Sequence, residues 1–162
     1  MRVLVIGYGN PSRQDDGVGL AVVNGLRDKA GLPLLDEGED GFEGLGGSLD
    51  TLFLQQLSPE LAETLADYDH VCLVDAHFGL YEELVHISRL EPSDSPAIVS
   101  HHFKPGALLS LAQRLYGRAP SAELISVRGF AFDFTTELSP ATALGVATVI
   151  TDLWTRYGAP AG

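Results

Sequence analysis

Three short segments of this sequence carry carboxylate and imidazole side chains that a folded sheet could bring together. The first covers residues 7–19 and contains Asp15 and Asp16. The second is Asp75-Ala76-His77, and the third is Ser100-His101-His102. Two carboxylates and one imidazole suit a borderline divalent ion such as nickel or zinc. Three protein ligands also leave coordination positions open for a substrate or for water.

The elements around these segments predict a fold of the α/β class. Residues 2–6 and 70–74 are apolar runs without polar alternation, which is typical of parallel strands covered on both faces. The first two polar segments directly follow these runs. Ligands of open α/β sheets bind outside the carboxyl ends of the strands, so the segments are expected at one end of the sheet.

Helices are expected between the strands, because apolar residues recur at helical spacing and are followed by stop signals. The expected helices cover residues 17–30, 58–66, 105–117 and 139–157, and further strands are expected at 32–35, 83–90 and 124–127. Residues 36–48 are expected to form an irregular loop or a weak strand. Strands that alternate with helices predict right-handed βαβ units. Residues 1–162 are therefore expected to form a single doubly wound domain, with a mostly parallel central sheet and helices on both faces.

The composition argues against several kinds of partner. Ten Lys and Arg against 22 Asp and Glu give a net charge of −12, and binding to a nucleic-acid backbone needs clustered cations instead. Cys72 is the only cysteine, so no intrachain disulfide can form, and its apolar run predicts a buried small hydrophobe. No segment has the ~18 consecutive apolar residues of a membrane span, and none resembles a signal peptide. A cytoplasmic protein without nucleic-acid or membrane partners is expected.

Each candidate ligand also has a structural interpretation. Asp15 and Asp16 stand at the start of a helix, where Asp15 can cap the backbone. One cap is enough, so capping explains Asp16 less well, and Asp16 is the candidate oxygen ligand for a divalent metal. Asp75 follows a buried strand, where an unpaired charge is costly, or else it is a cap or turn residue. His102 is the imidazole of the set, with His101 as its alternative. The remaining histidines near these segments are expected to be ordinary surface or core residues: His77 and His86.

A nucleotide site in the first segment is a weaker hypothesis. Gly7 and Gly9 follow a strand, but Ser12 stands where the dinucleotide pattern has its third glycine. The Gly-Lys-Ser/Thr ending of a phosphate-binding loop is absent. Two carboxylates at a helix start would repel a pyrophosphate.

The order and spacing of the segments resemble the hydrogenase maturation endopeptidases. Gly7-x-Gly9-Asn10 followed by Asp15-Asp16-Gly17-x-Gly19 resembles their N-terminal signature. Val74-Asp75-Ala76 resembles their second block, and Ser100-His101-His102 resembles their histidine block. Residues 56–62 and 115–120 are similar to members that serve bidirectional or cofactor-coupled hydrogenases. The matches extend from the first strand to the last helix.

The resemblance implies a nickel-binding set at Asp16, Asp75 and His102, where Asp16 replaces a Glu that is common in the family. It also implies removal of the C-terminal extension from the large subunit of a nickel–iron hydrogenase after its metal centre is loaded. A hydrogenase large-subunit precursor is the expected partner, nickel is expected to arrive with it, and the protein is expected to be a monomer. The alternative is a noncatalytic factor that binds nickel or the precursor. A nucleotide-binding α/β protein is a weaker alternative.

One block of the family pattern is missing. Many members carry Asp-Gly-Gly-Thr after the second strand, and neither Asp40-Gly41 nor Gly46-Gly47 reproduces it. No Ser–His–Asp or Cys–His arrangement can be placed either. No catalytic residue is therefore assigned outside the metal set, and the ion is expected to act as a Lewis acid, as an activator of water, or as a recognition checkpoint only.

Overall fold

A computed structural model describes residues 1–93, 98–99 and 102–158, without the side chains of residues 98, 99 and 102. The strands are β1 (Val3–Tyr8), β2 (Leu49–Leu54), β3 (His70–His77), β4 (Val85–Leu90), β5 (Ile98–Val99), β6 (His102–Phe103) and β7 (Ser121–Arg128). The α-helices are α1 (Val18–Lys29), α2 (Leu61–Leu65), α3 (Pro105–Tyr116) and α4 (Pro140–Leu153). Two 3₁₀ helices, Gln14–Gly17 and Phe42–Gly44, and a π-helical turn, Trp154–Gly158, complete the described elements.

The central sheet has five strands in the order β2-β1-β3-β7-β4. β2, β1, β3 and β7 are parallel, and β4 joins β7 as an antiparallel edge strand. β5 and β6 form a separate antiparallel pair. The chain moves to one side of β1 for β2 and to the other side for β3. The carboxyl ends of β1 and β3 therefore form a topological switch point, where open α/β sheets bind ligands.

Helices cover both faces of the sheet, as the sequence predicts. α2 and α3 pack together on one face, and α1 and α4 pack together on the other. Leu4 and Ile6 lie in the core under α2 and α3, whereas Val5 lies in the core under α1 and α4. Successive side chains of a strand point to opposite faces, so β1 is apolar throughout because both of its faces are buried.

The second strand lies elsewhere than predicted. Residues 32–35 form no strand, because side chains of α1 bind their backbone. The Asn24 amide accepts from the N–H of Leu35 at 2.8 Å and donates to its carbonyl at 3.0 Å. Arg27 Nε donates to the Pro33 carbonyl at 2.6 Å. The second strand along the chain is instead β2, at Leu49–Leu54, which forms the edge of the sheet next to β1. Residues 36–48 form an irregular loop with one 3₁₀ turn.

The observed helix ends agree with those predicted from proline and glycine positions for α3 but not for α2. α3 begins at Pro105 as predicted, and Gly117 ends it with φ of 75°, a left-handed conformation that glycine adopts without strain. α2 begins at Leu61, three residues after the predicted start at Ser58, and no side chain caps it. Within the described part of the chain, no helix is long and apolar enough to cross a membrane.

Candidate functional site

The glycines after β1 allow the strand to pack closely against the start of α1. A Cβ atom on Gly7 would lie 2.2 Å from the carbonyl oxygen of Gly19, and one on Gly19 would lie 2.4 Å from the backbone nitrogen of Tyr8. Either contact is far inside van der Waals distance. Gly7 and Gly19 therefore have a packing role.

The turn that follows positions Asp16. Gly9 has φ of +132°, which side-chain-bearing residues rarely adopt, and its Cβ would lie 2.4 Å from the Asp16 carbonyl oxygen. The Asn10 backbone N–H donates to Asp16 Oδ2 at 2.8 Å. The Asp16 carboxylate is thus held against the turn at the carboxyl end of β1.

Asp75 lies near the end of β3 and is bound from both neighbouring strands. The Tyr8 hydroxyl donates to Asp75 Oδ2 at 3.0 Å, and the Ser126 hydroxyl donates to Asp75 Oδ1 at 2.9 Å. Burial raises the pKa of Asp75 to about 6, although these two hydrogen bonds favour the charged form, and the charge of Asp16 raises the pKa further. Burial and the neighbouring Asp75 also raise the pKa of the Tyr8 hydroxyl, so Tyr8 stays protonated and remains a donor.

Asp16 and Asp75 line one cavity of about 300 Å³ at the switch point. Its walls also include Gln55 and Gln56, directly after β2, and Lys104, directly before α3. The structure therefore brings together the two carboxylates that the sequence singled out. Two carboxylates that repel each other in a partly buried cavity are a good match for a divalent cation, which would favour the ionised form of both.

The third expected ligand, His102, remains a prediction. Its side chain lies outside the described residues, as do Ser100 and His101. The backbone of His102 belongs to β6 and directly precedes Phe103 and Lys104, which both line the cavity.

Asp15 has a different role from the helix cap proposed for it. Its side chain is fully buried, and no side chain caps either the Gln14–Gly17 turn or α1. The backbone N–H groups of Phe130, Ala131 and Ser139 donate to its carboxylate at 2.8–2.9 Å. The hydroxyls of Ser139 and Thr142 donate at 2.6 and 2.9 Å. Burial alone would raise the pKa of Asp15, but the hydrogen bonds from Ser139, Phe130 and Ala131 hold it below its usual value. Asp15 therefore anchors the segment before α4.

Two histidines outside the expected metal set contact the residues that follow β3, and that they have ordinary roles stays a prediction. His77 Nδ1 accepts from the Gly79 backbone N–H at 3.2 Å, so this ring supports the turn after β3. The ring of His86 stacks on Tyr81 with 3.5 Å between centroids.

Sequence reasoning missed the residues that orient Asp75. Ser126 lies opposite Asp75 in the β3–β7 register, and Tyr8 follows Gly7, which pairs with Val74 in the β1–β3 register. Strand order and register would have revealed both residues, but neither can be obtained from one sequence. Gln55 and Gln56 were missed because β2 was placed elsewhere.

An aromatic groove of about 450 Å³ opens next to the cavity. We define the aromatic groove by its lining residues: Asn10, Arg13, Asp16, Phe78 and Phe132. Phe78 is 71% exposed and contacts Phe132 edge to face, with 4.5 Å between ring centroids. Exposed apolar surface of this kind commonly marks an interaction site. Asp16 lines both the cavity and the groove, so the two adjoin at this residue.

The fold of this chain is similar to that of several solved structures. No family model matches the chain, and no curated protein matches it in sequence. Among solved structures, the hydrogenase maturating endopeptidase HybD from E. coli superposes with a TM-score of 0.69 at 21% identity, covering 96% of this chain and 91% of that one. The [NiFe] hydrogenase maturation protease HybD from Thermococcus kodakarensis gives 0.63 at 22% identity, covering 97% and 99%. HycI from Thermococcus kodakarensis KOD1 gives 0.64 at 17% identity, covering 94% and 89%.

These similarities cover nearly the whole of each chain. This protein has the fold of the hydrogenase maturation endopeptidases, a doubly wound α/β domain with a mostly parallel sheet. The fold predicted from the sequence is confirmed, and the neighbours carry the names that the sequence resemblance led us to expect.

Proposed function

We propose that this protein is an endopeptidase that removes the C-terminal extension of a nickel–iron hydrogenase large-subunit precursor after nickel has been loaded. One observation carries the proposal: Asp16 and Asp75 line a single cavity at the switch point of this fold. The solved structures with the same fold are named as hydrogenase maturation proteases. The sequence resemblance at three blocks supports the same conclusion.

In this proposal nickel belongs to the substrate and enters the cavity within the precursor, where cysteine thiolates already hold it. Asp16, Asp75 and His102 then complete its coordination. The ion favours the ionised form of Asp75, which burial disfavours in the free protein. Tyr8 and Ser126 fix both oxygens of Asp75, so the carboxylate is oriented before the substrate arrives.

Polar groups on the cavity wall suit an extended peptide. The side-chain amides of Gln55 and Gln56 offer donors and acceptors to a peptide backbone, and Lys104 offers a positive charge. The aromatic groove continues from Asp16 and accepts an apolar side chain of the same peptide. These contacts hold the scissile bond beside the metal ligands.

Hydrolysis requires water to attack the scissile carbonyl carbon and a proton to reach the departing amine. A metal ion beside the bond would polarise the carbonyl or activate the water. The protein's carboxylates bind the ion and exclude bulk solvent on their side of the cavity. If the ion were only a checkpoint, the cleavage rate would not depend on its Lewis acidity.

The proposal is tested with nickel-loaded precursor and three forms of this protein: the wild type, Asp16→Asn and Asp75→Asn. We expect the wild type to release one C-terminal peptide and both variants to lose most of the activity, because a neutral amide binds a cation much more weakly than a carboxylate. Asp67→Asn changes an exposed carboxylate and is the matched control. Normal processing by both site variants would contradict the metal-site proposal.

The second candidate, a noncatalytic maturation factor, is separated by the same experiment. It predicts that the protein binds nickel-loaded precursor tightly while the precursor mass stays constant. The enzyme is the first candidate because the solved structures with this fold are named as maturation endopeptidases and proteases.

A further inference from the structure

A second cluster of metal-ligand side chains lies at the opposite end of the sheet. His70 is the first residue of β3, and Cys72 follows on the same face of that strand. Glu123 lies opposite Cys72 in the parallel register of β3 and β7. Along that strand Asp75 lies three residues from Cys72 and five from His70, so the two clusters are separated by roughly 10–17 Å.

The three ligand atoms converge. Cys72 Sγ lies 3.3 Å from Glu123 Oε1, and His70 Nε2 lies 3.7 Å from the same oxygen. All three atoms lie within 4.8 Å of one another, and no other group of His, Cys, Asp or Glu in the described part of the chain meets this criterion. Around a tetrahedral zinc ion, sulfur, nitrogen and oxygen ligands are separated by roughly 3.3–3.6 Å, given their bond lengths to the metal. The two separations from Glu123 Oε1, 3.3 and 3.7 Å, are close to these.

One ring nitrogen of His70 has a partner and the other has none. Nδ1 lies 2.7 Å from the Ser121 hydroxyl oxygen, which fixes the orientation of the ring. Nε2 is inaccessible to solvent and has no hydrogen-bond partner among the described residues. A buried polar atom without a partner is costly, and a metal ion bound by Nε2, Cys72 Sγ and Glu123 Oε1 would supply one.

We propose that His70, Cys72 and Glu123 form a metal site for a borderline divalent transition ion, with zinc as the best match and a fourth position for water. Thiolate and imidazole ligands select such ions over magnesium and calcium. The outer contacts are those of a metal site: Ser121 orients the imidazole, and Arg156 donates to Glu123 Oε1 at 2.7 Å. Burial keeps the ion away from competing water, because Cys72 is fully buried.

The protonation of Cys72 and the charges beside Glu123 determine the metal affinity of the proposed site. Burial raises the pKa of the Cys72 thiol, so the metal-free cysteine is protonated. Binding therefore replaces the S–H bond with a sulfur–metal bond and releases one proton, and affinity should increase with pH. Arg156 opposes a second cation at Glu123, but Asp152 lies 2.8 Å from the same guanidinium and offsets part of its charge.

The proposal is independent of the peptidase function and is tested with cobalt(II) as a spectroscopic probe. The protein is the full-length Asp16→Asn/Asp75→Asn variant, which lacks both carboxylate ligands of the other candidate metal site. We expect one equivalent of cobalt to give a sulfur-to-cobalt charge-transfer band and tetrahedral d–d bands, and zinc to displace it. Binding should release one proton per ion, measured with a pH indicator in weak buffer.

Two single changes in that background, His70→Gln and Cys72→Ala, should abolish the charge-transfer band. His86→Gln removes a histidine elsewhere and should leave it unchanged. Circular dichroism checks that each variant is folded. If His70→Gln or Cys72→Ala does not fold, the other variant and the proton count still decide the question. The proposal is overturned if no sulfur-to-cobalt band forms, if the band survives in a folded His70→Gln or Cys72→Ala variant, or if cobalt binds the wild type but not the Asp16→Asn/Asp75→Asn variant.

Discussion

The hydroxyl of Ser126 donates to Asp75 Oδ1 at 2.9 Å from the neighbouring parallel strand, where these two residues lie directly opposite each other. Tyr8 binds the other oxygen from the strand on the other side. The carboxylate is therefore fixed by the sheet itself before any ligand binds. Burial of Asp75 nevertheless makes its charged form unfavourable. The first two predictions concern the effect of this burial on stability.

Asp75→Asn should stabilise the metal-free protein at neutral pH while it removes the proposed activity. The pKa of Asp75 is about 6, compared with 3.8 for a free carboxyl, so ionisation at neutral pH costs roughly 3 kcal/mol of folding free energy. Asn removes that cost and keeps the size of the side chain, but its NH₂ group cannot accept one of the two hydrogen bonds from Tyr8 and Ser126, which offsets roughly 1 kcal/mol of the gain. Urea unfolding with a chelator present at pH 7.5 measures the gain, and Asp67→Asn should show none. A destabilised Asp75→Asn variant would contradict the assignment of a raised pKa.

The gain in stability should depend on pH in a defined direction. A carboxyl whose folded pKa is raised favours the folded state fully below the unfolded pKa, near 4, and this contribution is lost as pH rises through about 6. The difference between wild type and Asp75→Asn should thus be small at pH 4 and complete at pH 7.5. A series of unfolding curves between these values tests it. A difference that is constant with pH would mean that burial does not perturb Asp75.

Asp15→Asn should be strongly destabilising, unlike Asp75→Asn. Asp15 is fully buried and accepts from three backbone N–H groups and two hydroxyls, so a neutral amide in its place loses charge-assisted hydrogen bonds and brings a surplus donor. We expect a loss of about 3 kcal/mol in the free energy of unfolding.

The sign of the pH dependence is also opposite to that of Asp75. The pKa of Asp15 is lowered, so its contribution is present above the unfolded pKa and is lost as pH falls through the folded pKa. Urea unfolding at pH 7 and at lower pH measures both effects, with the exposed Asp28→Asn as control. Equal stability of Asp15→Asn and wild type at pH 7 would disprove the anchoring role.

The aromatic groove should affect binding of the precursor more than the chemical step. Phe78→Ser removes a side chain that is 71% exposed and contributes little to the core. If the groove binds an apolar side chain of the precursor, KM should rise roughly tenfold, which corresponds to about 1.4 kcal/mol, with kcat nearly unchanged. Leu144→Ser, at an exposed apolar position on α4, should leave both constants unchanged. A fall in kcat with constant KM would place Phe78 in a different role.

The sequence predicts the architecture well because its signals are local. Apolar runs predict β1 and β3, and Pro105 and Gly117 mark the ends of α3. Asp16 and Asp75 could be predicted to share one end of the sheet, since each lies at or beyond the carboxyl end of a parallel strand.

The remaining features depend on contacts between distant parts of the chain. Residues 32–35 are not a strand because Asn24 and Arg27 satisfy their backbone, which no strand propensity reveals. Asp15 has the pattern of a local helix cap, but its donors lie more than a hundred residues away. The approach of Glu123 to Cys72 likewise follows from the β3–β7 register.

The most direct test of the central claim is the intact mass of a nickel–iron hydrogenase large-subunit precursor before and after incubation with this protein. The precursor is prepared in nickel-loaded and nickel-free forms, and the Asp16→Asn variant serves as the inactive control. We predict that the loaded precursor loses a single C-terminal peptide with the wild-type protein and that the nickel-free precursor does not. An unchanged mass of a nickel-loaded cognate precursor, with the wild-type protein folded and bound to it, would contradict the endopeptidase function and leave a binding role.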